Sequence, residues 1–438
     1  MRNFKFSNLL VLFILISLTG YSQKIQYSRE NNRNGINTFE PSKADDVQYD
    51  GFKLQIGGAF RQGFQALEHT TKSTVKPYAL GPGFNLAAAN LNFDIQLEDG
   101  IRIFLENYMA SRHHNEFWVK GGYIQIDKLP MFNNPEWFTK YVRAKIGHME
   151  INYGDTHFRR SDGGNAIWNP FTENNIVDQF TTEIGGELYI FPTKNVTLMA
   201  GMTNGLIRNN ILDYNVAPVI GTGRVDSINR KAPSIYLKGV YDNEFEGVRV
   251  RLSGSLYTNP ESPGLTLYSG DRTGSGYFGV MENNTYTNGT SPFTSGRFNP
   301  GFGNSITAIM FNPFIKYKGV ELFGTYEVAT GKTVNEKPES YDGKDRKMTQ
   351  VAIDAIYRFL PNEQAFIGAR YNTVTARLQG FTSDVDVNRF AIAAGWYPTK
   401  NLLLKGEYVN QGFNGFPVND IRNEGKFNGI TVEAVVGF

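Results

Sequence analysis

The chain has 438 residues, 44 Lys and Arg against 42 Asp and Glu for a formal net charge of +2, and no Cys. Near balance without a basic block excludes a nucleic-acid surface, and the lack of thiols excludes a disulfide framework, a thiolate metal site and a lipidated cysteine anchor. Aromatic residues make up 14%, with 23 Tyr and 33 Phe, and Gly numbers 46, a composition that suits strands joined by many turns.

Residues 1–22 carry Arg2 and Lys5, an unbroken apolar run from Leu9 to Ile16, and small residues Gly20 and Ser22. This is the pattern of a signal peptide cut near Ser22 or Gln23, and the run is shorter than the roughly 20 residues a spanning helix needs. Residues 23–50 are polar and show no apolar period, which predicts a flexible periplasmic lead-in.

From Gly51 the period switches to two. In FKLQIGGAF, Phe52, Leu54, Ile56 and Phe60 share one face while Lys53, Gln55 and Arg61 share the other. The pattern predicts sixteen strands, at 52–61, 84–97, 101–111, 117–128, 140–151, 181–191, 196–203, 233–241, 248–257, 305–317, 320–329, 348–359, 365–377, 387–397, 402–410 and 427–438. Most are close to the 9 to 11 or so residues that a tilted strand needs to cross a hydrocarbon layer.

The connections alternate in length. Short ones fall at Glu98 to Gly100, Pro192 to Asn195, Asp242 to Gly247, Lys318 with Gly319, Leu360 to Gln364 and Pro398 to Asn401, with a longer member at Leu129 to Thr139. Long ones fall at 62–83, 152–180, 204–232, 258–304, 330–347 and 411–426. Short turns at one end and long loops at the other predict an all-β, transmembrane, antiparallel up-and-down barrel occupying residues 51–438, set in outer-membrane lipid. The turn Pro-Thr-Lys-Asn occurs twice, at 192–195 and 398–401, each time after an aromatic pair. Tight-turn chemistry at a bilayer edge accounts for it.

The other face of each strand lines the interior. Its cations include Lys53, Arg102, Arg143, Lys145, Lys238, Arg249, Arg251, Lys316, Arg358, Arg370, Arg389 and Lys405; its carboxylates include Asp94, Glu106, Asp127, Glu183, Glu187, Glu321, Glu327, Asp354, Glu407 and Glu433. So many inward charges predict a water-filled channel with a mild anion preference, because charges on the lipid face would cost about 2–4 kcal/mol each near the midplane. The parity of Lys120 matches Ile124 and Ile126, so either a bulge sits near Gly121 and Gly122 or the register differs there.

The long connection GDTHFRRSDGGNAIWNPF, Gly154 to Phe171, follows the fifth predicted strand. It is the third long connection, and the layout resembles that of sixteen-stranded porins, whose third external loop folds into the barrel and narrows it, which implies the same course here. Arg159 and Arg160 are candidates to meet a permeating anion, since Arg presents planar donors to phosphate or carboxylate. The alternative is that one of them pins the loop through Asp162, Glu173 or Asp178. With Arg143, Lys145, Arg249, Arg251 and Arg102 on the wall, they form the candidate constriction and solute-binding set.

The longer run NYGDTHFRRSDGGNAIWNPFTENNIVDQFTTEIGGELY, Asn152 to Tyr189, resembles the signature region of outer-membrane porins related to the phosphate-selective porin O and P family. The resemblance implies a sixteen-stranded barrel in the outer membrane of a Gram-negative bacterium, often a homotrimer, passing small hydrophilic or anionic solutes without a cofactor. Phosphate selectivity itself does not follow, because carboxylates interrupt the cationic lining almost one for one. The terminal strand NGITVEAVVGF alternates to a final Phe438 and resembles the terminal strands of outer-membrane barrels, which implies the barrel assembly machinery as a transient partner.

Rival readings are weaker. Asp155, His157 and Ser161 lie within a few residues on one loop, whereas triad members are held by separate rigid elements, so a barrel hydrolase is not expected. The His113-His114 pair lacks a third metal ligand, and the 258–304 loop lacks EF-hand spacing. A plugged or closed barrel serving as an accessory subunit of an envelope secretion or uptake complex is the alternative from a different class.

Overall fold

The computed structural model describes residues 24–45, 47–109, 117–161, 165–205, 232–262, 264–283, 294–333, 336 and 345–438. The expected leader, His113, His114, Asp162, Gly163 and Gly164 lie outside the described residues.

Period-two alternation produces the expected strands: β1 (Lys53–Thr70), β2 (Gly83–Phe84), β3 (Ala88–Glu98), β4 (Ile101–Met109), β5 (Trp118–Ile126), β6 (Val142–Glu150), β7 (Thr182–Thr193), β8 (Val196–Thr203), β9 (Ser234–Phe245), β10 (Val248–Asn259), β11 (Ser305–Tyr317), β12 (Val320–Lys332), β13 (Arg346–Phe359), β14 (Ala365–Ala376), β15 (Val385–Thr399), β16 (Leu402–Asn414) and β17 (Lys426–Gly437). Each long strand pairs antiparallel with its sequence neighbours. β1 closes the ring by pairing with β17 from Ala59↔Gly437 to Thr70↔Lys426 and with β3 from Lys53↔Gln96 to Arg61↔Ala88. The result is a closed sixteen-stranded barrel, with β2 as a two-residue addition beside β1.

The short turns all lie at one end, and the two Pro-Thr-Lys-Asn turns share a geometry. A register shift precedes each, and Asn195 N and Asn401 N donate to Thr193 Oγ1 and Thr399 Oγ1 at 3.3 and 3.2 Å. The outer face exposes Leu188, Leu198, Leu237, Ile309, Ile315, Ile353, Ile367, Ile392 and Ile430, and Phe245, Tyr317, Tyr357 and Trp396 lie toward the turn end. An apolar outer band with aromatic residues at its edge is what a lipid-spanning barrel presents.

The difficulty at Lys120 resolves as a bulge. Glu106 pairs with Gly121 and Asn107 with Val119, so Lys120 is the extra residue. It thereby points inward and meets Asp271 at 2.8 Å. A bulge re-aims one side chain without disturbing the alternation on either side.

Candidate functional site

The interior holds more polypeptide than the alternation implied. The connection from Ile151 to Thr181, between β6 and β7, is buried along nearly its whole described length. It leaves the wall through Gly154, whose φ of +70° and tight seat against Met310 admit no side chain. It then crosses to the opposite wall, where Ala166, Ile167, Trp168 and Phe171 pack on Ile356, Phe366, Ala391, Tyr397 and Leu403. The connection after β10 adds Leu265, Leu267, Tyr268, Tyr277, Val280, Phe298 and Phe302 to a second apolar cluster.

Backbone drawn into a lumen must find hydrogen-bond partners, and the wall charges supply them. Lys405 Nζ donates to the carbonyls of Asn169 and Phe171 at 3.0 and 2.8 Å. Arg370 donates to Glu173 O at 2.8 Å while forking onto Asp354, and Arg389 donates to Asn174 O and Gly296 O at 2.8 and 2.9 Å. Glu407 accepts from Thr172 N at 2.8 Å and from the Tyr277 hydroxyl. The expectation that inward charges imply an open bore is thereby narrowed on this side of the lumen, where buried loops occupy the space. On this side the same charges hold loops, because a buried carbonyl cut off from water needs a donor and an inward Arg or Lys has several N–H groups to share.

The described residues of the N-terminal segment, 24–45 and 47–50, expected as a flexible lead-in, are also folded into the barrel at its turn end. Ile25, Tyr27 and Phe39 are buried. Gln26 Oε1 accepts from Gly100 N at 2.8 Å, Arg33 N donates to Lys400 O at 2.9 Å, and Asn37 Nδ2 donates to Glu321 Oε1 at 2.5 Å. Lys43 Nζ donates to Val142 O at 2.8 Å and lies 3.1 Å from Asp127. Glu40 completes a buried cluster with Arg251, Lys238 and Asp155. Arg251 lies 2.6 Å from Glu40 and 2.8 Å from Asp155, and Lys238 lies 2.8 Å from each. Burial opposes ionisation of Glu40 and Asp155, but Arg251 and Lys238 outweigh it and hold both carboxyls below their ordinary values. No hydrophobic period marks this segment, because it is held by scattered polar anchors and three apolar side chains.

The candidate set divides. Arg159 donates to Asn37 Oδ1 at 2.6 Å, lies 3.6 Å from Glu321 and stacks over Phe323. Arg160 forks onto Asp178, with Nη1 at 2.7 Å and Nη2 at 2.9 Å, and lies over Phe180. The loop-pinning alternative through Asp178 thus describes the geometry of Arg160. Arg143 bonds Asp127 at 2.8 Å and Pro41 O at 2.7 Å; Arg249 bonds Asp242 and Asn37 O; Arg251 belongs to the four-charge cluster. These five act on polypeptide.

Arg102 and Lys145 face a cavity of about 230 Å³ between the β1 and β3–β6 wall and the packed interior. Gly57, Gly121 and Gly122 border it on the wall side; Arg29, Asn31 and Phe39 of the N-terminal segment and His157, Phe158 and Trp168 of the crossing loop form the inner side. Register places Arg102, Gln125 and Lys145 in one cross-strand row. Arg102 Nη1 donates to Asp94 at 2.7 Å and Nη2 to Gln125 at 3.0 Å. Lys145 has no carboxylate within ion-pair distance among the described residues; its ammonium lies over the Tyr123 and Tyr189 rings at 4.9 and 5.2 Å. Four cations, Arg29, Arg102, Lys120 and Lys145, and three carboxylates, Asp94, Glu106 and Glu150, line this space. Burial, reinforced by Lys238, pushes His157 well below its ordinary value, so its ring is neutral. Sequence reading missed Arg29, Asn31 and Tyr123.

The Asp155, His157 and Ser161 side chains do not bond in series. Asp155 is engaged by Arg251 and Lys238, His157 Nε2 meets Asn152 Oδ1 at 2.8 Å, and Ser161 Oγ meets Asn174 Oδ1 at 3.1 Å.

No family model matches the chain, and no curated protein matches it. Among solved structures it is similar to an anion-selective porin from Comamonas acidovorans, with a TM-score of 0.54 and 10% identity over 88% of this chain and 100% of that one. It is also similar to the outer membrane channel DcaP of Acinetobacter baumannii, with a TM-score of 0.52 and 10% identity over 89% and 99% of the two chains. At such identity the likeness is one of fold, that of a porin-like barrel.

Proposed function

We propose that this protein is an outer-membrane channel for passive diffusion of small hydrophilic solutes, with its route along the β1 and β3–β6 wall. The carrying observation is the charged 230 Å³ cavity inside a closed barrel whose outer face is apolar. Charges of both signs facing a space shed water at lower cost for a polar solute than for an apolar one. Four cations against three carboxylates, with Lys145 lacking a carboxylate partner, support a mild anion preference. Lys145 and Arg102 are the residues that would meet the solute. Arg159, Arg160, Arg143, Arg249 and Arg251 act as positioning residues that hold the loop and the N-terminal segment. The interleaved carboxylates still argue against phosphate selectivity in particular, and a homotrimer is kept as an expectation drawn from the resemblance.

The extent of lumen packing favours a second reading, a closed barrel acting as a subunit of an envelope complex. Planar-bilayer recording under a salt gradient separates the two. The channel reading expects steady ohmic current with a reversal potential favouring anions, and a shift toward cations in Lys145→Glu. Silence from protein shown to be folded and inserted would overturn it in favour of the closed barrel.

A further inference from the structure

We propose that residues 24–50 are the inner wall of the solute route, a constriction carried by the chain itself that sets the size of what passes. The inference rests on the channel reading above.

The location of the segment is the first argument. It spans the turn end of the barrel, with anchors at the β3–β4 turn through Gln26, the β15–β16 turn through Arg33, the start of β12 through Asn37 and the end of β5 through Lys43. Anything moving along the β3–β6 wall at that end passes between the wall and this segment. Arg29, Asn31, Phe39 and Pro41 face the cavity from its inner side.

The way it is held is the second argument. The segment adds no strand to the barrel, and the ring is closed without it by the β1–β17 and β1–β3 ladders. Its anchors are side-chain hydrogen bonds and ion pairs together with the main-chain bond from Arg33 N to Lys400 O, and none belongs to a strand ladder, so the segment can be absent while every strand keeps its neighbours. Barrel stability and pore width are thus set by different parts of the chain.

The third argument is its junction with the crossing loop. The Arg29 guanidinium lies 3.5 Å from the centre of the Trp168 ring and donates to Phe158 O at 3.1 Å. Two chain segments far apart in sequence meet at this contact, and both border the cavity. Removing one of them merges the cavity with the space the segment occupied.

The test compares the full chain with a variant in which the leader is joined directly to residue 51, both refolded, checked for heat-modifiable barrel mobility, and recorded in planar bilayers. Polyethylene glycols of graded size report pore width, and a synthetic peptide of residues 24–50 is added to one side at a time. The proposal expects conductance several-fold above that of the full chain, entry of larger polymers, and block by the peptide from a single side. A folded deletion variant with unchanged conductance and unchanged polymer cut-off overturns it. A silent full chain with a conducting deletion supports it and shows that the segment closes the route. Silence from both overturns the channel reading itself, and the inference with it. Should the deletion fail to fold, the full chain carrying Arg29→Ala with Glu40→Ala takes its place. Larger polymer entry then supports the proposal, and an unchanged cut-off overturns it.

Discussion

Arg389 on β15 and Lys145 on β6 both project inward from period-two strands, yet the first is fully enclosed and the second borders a cavity. Arg389 ends on two loop carbonyls and Gln411; Lys145 ends over two tyrosine rings with space beyond. The wall is of one kind on both sides, and what differs is whether a loop crosses in front of it. A lumen charge therefore has no fixed meaning: it holds polypeptide where a loop offers carbonyls and borders a cavity where none reaches it.

The contrast can be broken most severely on the filled side. Arg370→Ala removes the guanidinium that neutralises buried Asp354 and satisfies Glu173 O, and is expected to cost about 3–5 kcal/mol. The check is the urea or heat midpoint of the refolded barrel, and an unchanged midpoint would show that water already enters there. Arg389→Ala is milder. It is expected to cost about 1–3 kcal/mol through loss of its bond to Asn174 O. Gln411 still reaches Gly296 O at 2.9 Å and limits the damage, so a double variant with Gln411→Ala should exceed the single one.

Acid sharpens the comparison from the other direction. Glu40 and Asp155 are held below their ordinary values, so their contribution to anchoring is complete above about pH 4 to 5 and is lost as pH falls through the lowered values. Conductance is expected to stay level from neutrality to that range and to rise only below it. A transition at about pH 6 would instead come from groups other than these two carboxylates and would overturn their assignment as the acid-sensitive anchors.

The smallest stability effect belongs to the open side. Lys145→Gln breaks no ion pair among the described residues and is expected to cost about 1 kcal/mol, the scale of its contacts with the Tyr123 and Tyr189 rings. It should nonetheless reduce anion preference in reversal-potential measurements. A large loss of stability would mean that Lys145 holds structure, as Arg389 does.

Sixteen strands, their order, the turn end and the loop end were all legible in the amino-acid sequence, as was the irregularity at Lys120. Those features depend on neighbours in sequence: alternation sets the two faces, and short connections at one end fix which strands pair. The crossing loop was legible as a position, and the pinning of Arg160 by Asp178 as one of two alternatives. Only the tertiary structure decided what fills the lumen. The anchors of the N-terminal segment at Gly100, Asp127, Glu321 and Lys400 and the four-charge cluster of Glu40, Asp155, Lys238 and Arg251 join residues about 70 or more positions apart. Such contacts leave no period in the sequence, because a buried carbonyl or carboxylate selects a cation by its place in space rather than by its spacing along the chain.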